Sequence, residues 1–222
     1  MDASEPRSAS PRRRRFERGS DEFSRVLAFS DALFAIAMTL LVVGIEVPDL
    51  GDTEDIGDLA DALYDDLGSF ISFFISFAVI GRYWIAHHGY CSRLAAVDGG
   101  WIGLNLIYLL FIAFLPFPTG LLGNYFENPL SIAVYAVTVA AVSGMEVVLF
   151  RHAKRNGLLE RRIPDDVYRW GVAVSLSPVI FFCLSIPLAF VNTTVAVASW
   201  FLAIPYQAVK ERRKPPHADE YL

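Results

Sequence analysis

The stretch that decides the fold lies near the amino terminus: Arg25-Val-Leu-Ala-Phe29-Ser30-Asp31-Ala-Leu-Phe-Ala-Ile36-Ala-Met-Thr39-Leu40-Leu-Val-Val43-Gly44-Ile-Glu46. Between Arg25 and Glu46 the only charged residue is Asp31. A helix of about 20 mostly apolar residues spans a bilayer core of about 30 Å, so this run predicts a transmembrane helix over residues 26–47. It exceeds the roughly 7–15 apolar residues of a signal peptide, and no small-residue cleavage pattern follows it. Its apolar residues run without the two-residue alternation of a barrel strand.

Five further stretches read the same way: 67–87, 101–122, 130–150, 170–190 and 192–209. The last is the least apolar, with Asn192, Thr193, Thr194 and Pro205. Lipid offers no partner to a backbone amide, so each stretch is expected to be helical. The fold class is an all-α integral membrane protein with six transmembrane helices. Residues 1–24 read as a disordered basic cytoplasmic tail, 25–209 as the membrane domain and 210–222 as a second cytoplasmic tail. The composition of the 222 residues agrees: 54% hydrophobic and 19% charged, against about 25% charged in soluble domains, with mean hydropathy +0.41. That excludes a wholly disordered chain and weighs against a soluble enzyme. Two cysteines, Cys91 and Cys183, are too few for a disulfide scaffold.

The net charge of −5 hides a strong polarity. Of the 19 Lys and Arg, seven precede the first span: Arg7, Arg12, Arg13, Arg14, Arg15, Arg18 and Arg25. Six lie between the fourth and fifth spans and four follow the sixth. Basic residues mark the cytoplasmic side, so both termini are expected inside, in the cell membrane. The loop after the first span has the opposite character. Asp49, Asp52, Glu54, Asp55, Asp58, Asp61, Asp65 and Asp66 occur with no base among them. This is either a solvated outer loop or a mouth that concentrates cations, because a one-sign cluster raises the local counter-ion concentration.

Ionisable residues within spans are costly and mark function or structural pairing. Arg25, Ser30, Asp31, His87, His88, Asn105 and Glu146 lie at similar depth, toward the cytoplasmic side. Arg25 and Asp31 are six residues apart and do not share a helix face. Each therefore needs partners on other helices, and a network joining Ser30 and Asp31 to His87 or His88 and to Asn105 satisfies them. Such a network clamps spans one to three together, and it can also tune the opening of a pore. One face of the first span carries Phe29, Ala32, Ile36, Thr39 or Leu40, and Val43. The pairs Ala28 with Ala35 and Ala37 with Gly44 allow close helix approach.

No metal-ligand spacing, phosphate loop or nucleophile motif is present, so no cofactor, metal or enzyme activity is expected. The Arg12–Arg15 run beside a span sets topology or touches anionic lipid, and no nucleic-acid partner is inferred.

The motif Arg25-x-x-x-Phe29-Ser30-Asp31 resembles the signature of the endosomal and lysosomal potassium channel family, in its prokaryotic single-repeat form. Trp84-x-x-His87 at the end of span two, and Asn105 opening a run that ends Phe114-Leu-Pro116-Phe-Pro118-Thr119, are similar to the same pattern. The resemblance implies a homotetramer conducting potassium ions through a central pore lined by span one. It places an apolar constriction at Ile36, with Thr39 about one turn further and Val43 as the next ring, on the face that also bears Leu40. It implies that Arg25, Ser30, Asp31, His87 and Asn105, beside Phe29, hold span one in place. The alternative from the residues alone is a proton-coupled secondary transporter using Asp31, His87 and Glu146 as a relay, though no internal repeat supports it.

Overall fold

The computed structural model describes residues 14–51, 55–218 and 221. Of the acidic loop, Asp52 and Glu54 lie outside the described residues, as do residues 1–13 of the expected amino-terminal tail.

The first helix, α1 (Asp21–Leu40), starts earlier than hydropathy predicts, because Ser20 caps it. The Ser20 hydroxyl accepts from Phe23 N at 3.2 Å, and Asp21 and Glu22 sit in the first turn, where the helix dipole favours acids. A 3-10 turn, Leu41–Gly44, continues it. The combined 24 residues are about 36 Å long at 1.5 Å per residue, enough to cross a bilayer.

Next come α2 (Ile56–Asp65), α3 (Leu67–Cys91), α4 (Gly99–Phe114) and α5 (Pro116–Asn124). These are followed by α6 (Pro129–Asn156), α7 (Asp165–Ser175), α8 (Ser177–Ala189), α9 (Thr193–Trp200) and α10 (Ala203–Arg212). The α4–α5 and α7–α8 pairs are each one rod with a break before or beside a proline: Pro116 opens α5, and Pro178 is in the first turn of α8. Proline removes a backbone donor and crowds the preceding turn. Five rods are long and apolar enough to cross a membrane: Asp21–Gly44, Leu67–Cys91, Gly99–Asn124, Pro129–Asn156 and Asp165–Ala189.

The sixth predicted span is divided. Phe201, Leu202 and Ile204 donate their amides to carbonyls three residues back, and Pro205 cannot donate at all, so α9 and α10 are separate short helices. They run antiparallel to α7–α8: Trp200 stacks on Phe182, with ring centroids 4.7 Å apart, and Trp170 Nε1 donates to the Lys210 carbonyl at 3.0 Å.

The core joins α1, α3, α4 and α6, with Phe34, Ile80, Trp101, Tyr108 and Tyr135 fully buried. Small residues set the closest approaches. A Cβ added to Gly123 would lie 2.9 Å from Ser69 Cα, so α5 packs almost directly on the α3 backbone, as small-residue seams permit in membranes. Further along α3, Ser76 is satisfied within the bundle: Thr119 Oγ1 donates to Ser76 Oγ at 2.7 Å, and Ser76 Oγ is 3.0 Å from the Tyr135 hydroxyl.

Described parts of both expected tails make contacts with the bundle. Strand β1 (Arg15–Glu17) pairs antiparallel with β2 (Ala96–Asp98), in the register Phe16 with Val97. Arg15 donates to the Asn156 carbonyl at 2.7 Å, and Arg18 pairs with Glu160. At the other end, His217 Nε2 is 3.2 Å from Asp166 Oδ2. Ala218 is buried against a small cluster that includes Phe150, Ile163 and Val167. Both segments meet partners distant in sequence, which the local polarity of residues 14–24 and 211–218 does not reveal. The chain before α1, the α3–α4 and α6–α7 connections and the chain after α10 thus share one end of the bundle.

Candidate functional site

The site is built on the two faces of α1. Phe23, Ser30, Phe34, Ala37 and Leu41 form the buried face, at the three- and four-residue spacing of one helix stripe. Phe29, Ile36, Leu40 and Val43 form an exposed face, Ile36 at 57% and Val43 at 73% accessible. Thr39 is on the same side, and its hydroxyl donates to the Ile36 carbonyl at 2.8 Å. The donor is used within the helix, and the oxygen lone pairs remain free to face outward.

The buried face is pinned by a directed chain of hydrogen bonds. His87 Nε2–H donates to Asn105 Oδ1 at 2.9 Å. Asn105 Nδ2–H donates to Ser30 Oγ at 2.9 Å, and Ser30 Oγ–H donates to the Val26 carbonyl at 3.0 Å. One chain thus ties α3 to α4 and α4 to α1. His87, Asn105 and Ser30 are all buried, where an unpaired polar group costs about 1–3 kcal/mol. The His87 ring is held by stacking on Tyr108 (5.3 Å, interplanar angle 7°) and by a tilted contact with Phe34 (5.6 Å). Cys91 Sγ lies 3.6 Å from its Nδ1.

Asp31 takes a different partner from the one expected. Its Oδ1 accepts from Trp84 Nε1 at 3.0 Å. The exposed His88 makes a tilted ring contact with Trp84 at 5.5 Å, so His87 alone joins the buried chain. The motif resolves by direction: Phe29 faces out, Ser30 faces inward to α4, and Asp31 reaches sideways to α3. Arg25 is exposed, one turn before the chain begins. Of the small-residue pairs, a Cβ added to Gly44 would lie 4.0 Å from Gly120 Cα of α5 and Ala37 is buried, while Ala28 and Ala35 are exposed.

The structure does not assemble Asp31, His87 and Glu146 into a relay. Asp31 bonds an indole and His87 an amide. Glu146 has one carboxylate oxygen buried with no partner among the described residues. An indole and an amide do not exchange protons as a titrating relay requires.

Several supporting contacts were not read from the sequence. Trp84 as the partner of Asp31 is the main one, and its only signal was the Trp84-x-x-His87 spacing. The Tyr83 hydroxyl, 2.5 Å from Ser143 Oγ, and the Trp101 indole, which donates to the Tyr90 hydroxyl at 3.1 Å, had none.

These features define a multi-pass helical membrane protein whose first helix is anchored on one face and bare and apolar on the other. Residues 25–116, which carry Ser30, Asp31, Trp84, His87 and Asn105, match the family described as endosomal/lysosomal potassium channel TMEM175. A potassium channel of Streptomyces collinus is 33% identical over 191 residues, covering 84% of this chain and 91% of that protein. A potassium channel of Chamaesiphon minutus is 32% identical over 200 residues, covering 85% and 95%. The crystal structure of a lysosomal potassium-selective channel TMEM175 homolog from the same organism superposes with a TM-score of 0.70 at 29% identity, covering 86% of this chain and 98% of that one. The chain belongs to the TMEM175 family of ion channels.

Proposed function

We propose that four copies of this chain surround a central pore lined by α1 and conduct potassium passively across the cell membrane. The observation that carries this reading is the bare stripe Phe29, Ile36, Leu40 and Val43 on α1, the helix that Ser30 and Asp31 hydrogen bond to α4 and α3. Ile36 forms the constriction, Thr39 and Leu40 follow it, and Val43 is the next ring toward the outside. A narrow apolar ring admits an ion only after part of its hydration is shed and the ring is wetted. Potassium releases water more readily than sodium, so the ring favours potassium without a cage of carbonyls. Thr39 lone pairs offer oxygen just beyond the constriction.

Ser30, Asn105 and His87, together with Asp31 and Trp84, hold α1 at a fixed rotation, so that Ile36 points to the axis. In this reading α9 and α10 together make the sixth crossing. The Trp170–Lys210 bond supports it, because it returns the end of α10 to the side on which α7 begins. The clustering of residues 15–18, Arg93, Arg155 and residues 217–218 at one end supports a cytoplasmic location for both termini.

The test is flux through purified protein in liposomes, potassium against sodium. Robust potassium flux exceeding sodium flux is expected. Tetramers that pass neither ion would refute the reading.

A further inference from the structure

Helix α2 has no buried residue. Its Ile56 and Tyr64 are 86% and 74% exposed, and Leu59 and Leu63 are exposed beside them. The side chains are cleanly sorted. Ile56, Leu59, Ala60 and Leu63 share one face with Tyr64 at its edge, while Asp58, Asp61 and Asp65 share the opposite face at three- and four-residue spacing. A ten-residue helix is too short to be stable alone in water, and Gly57 weakens it further. Asp55 caps it, accepting from Gly57 N at 2.7 Å, but a cap does not cover the apolar face. Nothing among the described residues covers it.

We infer that α2 lies flat on the outer leaflet of the bilayer, with Ile56, Leu59 and Leu63 in the acyl boundary and Asp58, Asp61 and Asp65 facing water. This rests on the outward placement of residues 48–66 in the proposed function. Three observations select lipid as the occupant. The helix follows the bare end of the first crossing at Val47, and Asp66 alone separates it from α3, so both its ends are held at the membrane surface. Its apolar face continues into Leu67, Ile71 and Phe74, the exposed apolar face of α3. Its polar face is purely acidic, so packing four copies against one another would bring like charges together, whereas a leaflet leaves them hydrated. Sorted polarity of this kind is what holds a helix in the interfacial plane, and an aromatic at the edge, here Tyr64, suits the headgroup level. The acidic face is thereby fixed toward the water above the pore mouth.

The experiment uses the full chain in liposomes with Cys183→Ser, since Cys183 is the exposed native thiol and Cys91 is buried. An environment-sensitive dye is attached at Leu59→Cys, Leu63→Cys or Asp61→Cys, in tetramers checked by gel filtration. Dyes at 59 and 63 should emit to the blue of the dye at 61 and be quenched several-fold more by nitroxide-labelled phosphatidylcholine. Dyes at 59 and 63 that match 61 and ignore the nitroxide would overturn the inference, as would efficient Leu59→Cys crosslinking between subunits. Separately, a membrane-impermeant thiol reagent should label Asp61→Cys in intact cells. Labelling only in inverted vesicles would overturn the outward placement itself, and the leaflet inference with it. Labelling in intact cells together with lipid-insensitive dyes would overturn the leaflet inference alone.

Discussion

Asp31 and Ser30 are adjacent, yet they bond to different helices, and this divides their roles. Trp84 Nε1 needs only an acceptor, so Asp31→Asn should keep the tetramer and its flux close to native, because the amide oxygen replaces Oδ1. Asp31→Ala leaves the indole without a partner and should reduce both; gel filtration and liposome flux compare the two variants. In the buried chain, Asn105→Leu strands the His87 N–H, at a cost of about 1–3 kcal/mol. A lower apparent melting temperature in detergent is expected, with Asn105→Gln only partly restoring it because the longer side chain misplaces both bonds. On the exposed face, Ile36→Asn is expected to wet the proposed constriction. It should raise flux and reduce the preference for potassium over sodium in the liposome assay, and unchanged selectivity would place the filter elsewhere.

At the scale of helices, packing depends on where a side chain is missing. Gly123→Ala places a methyl against the Ser69 backbone and should destabilise the α3–α5 seam by about 1–3 kcal/mol, the usual cost of overpacking. Gly103→Ala in α4 meets nothing within 4 Å and should be neutral or gain up to about 1 kcal/mol from helix propensity. Thermal unfolding of the two variants side by side separates packing from propensity. The helices themselves were largely legible: long apolar runs named five rods to within a few residues. Their ends were less so. Ser20 begins α1 before the apolar run does, and Pro205 divides the sixth stretch, a break that a hydropathy average smooths over. Helix α2 was hidden by its own aspartates, since a loop dense in acids reads as solvated coil until its period is examined.

Across the whole molecule, charge is separated between the two ends of the bundle. Neutralising Asp58, Asp61 and Asp65 together to Asn should lower potassium influx from a dilute outer solution and have little effect at high ionic strength, where the Debye length falls to about 3 Å. Flux measured across a salt series checks this. Equal loss at every ionic strength would mean that the three acids act through structure and not through their field.

What the sequence determined by itself is the medium, and with it the basis for the proposed direction. Runs of apolar residues can be satisfied only as helices in lipid, and the distribution of Lys and Arg supports the proposed orientation; both are read from composition along the chain. The motif from Arg25 to Asp31 also marked α1 as the helix of interest, and His87 and Asn105 as polar residues in need of partners. Which partner each takes was decided by tertiary structure alone. Asn105 sits between Ser30 and His87, Asp31 turns to Trp84 and β1 finds β2, because a hydrogen bond depends on a few tenths of an ångström between helices far apart in sequence. Periodicity gives the face of a helix, and only packing gives what stands opposite it.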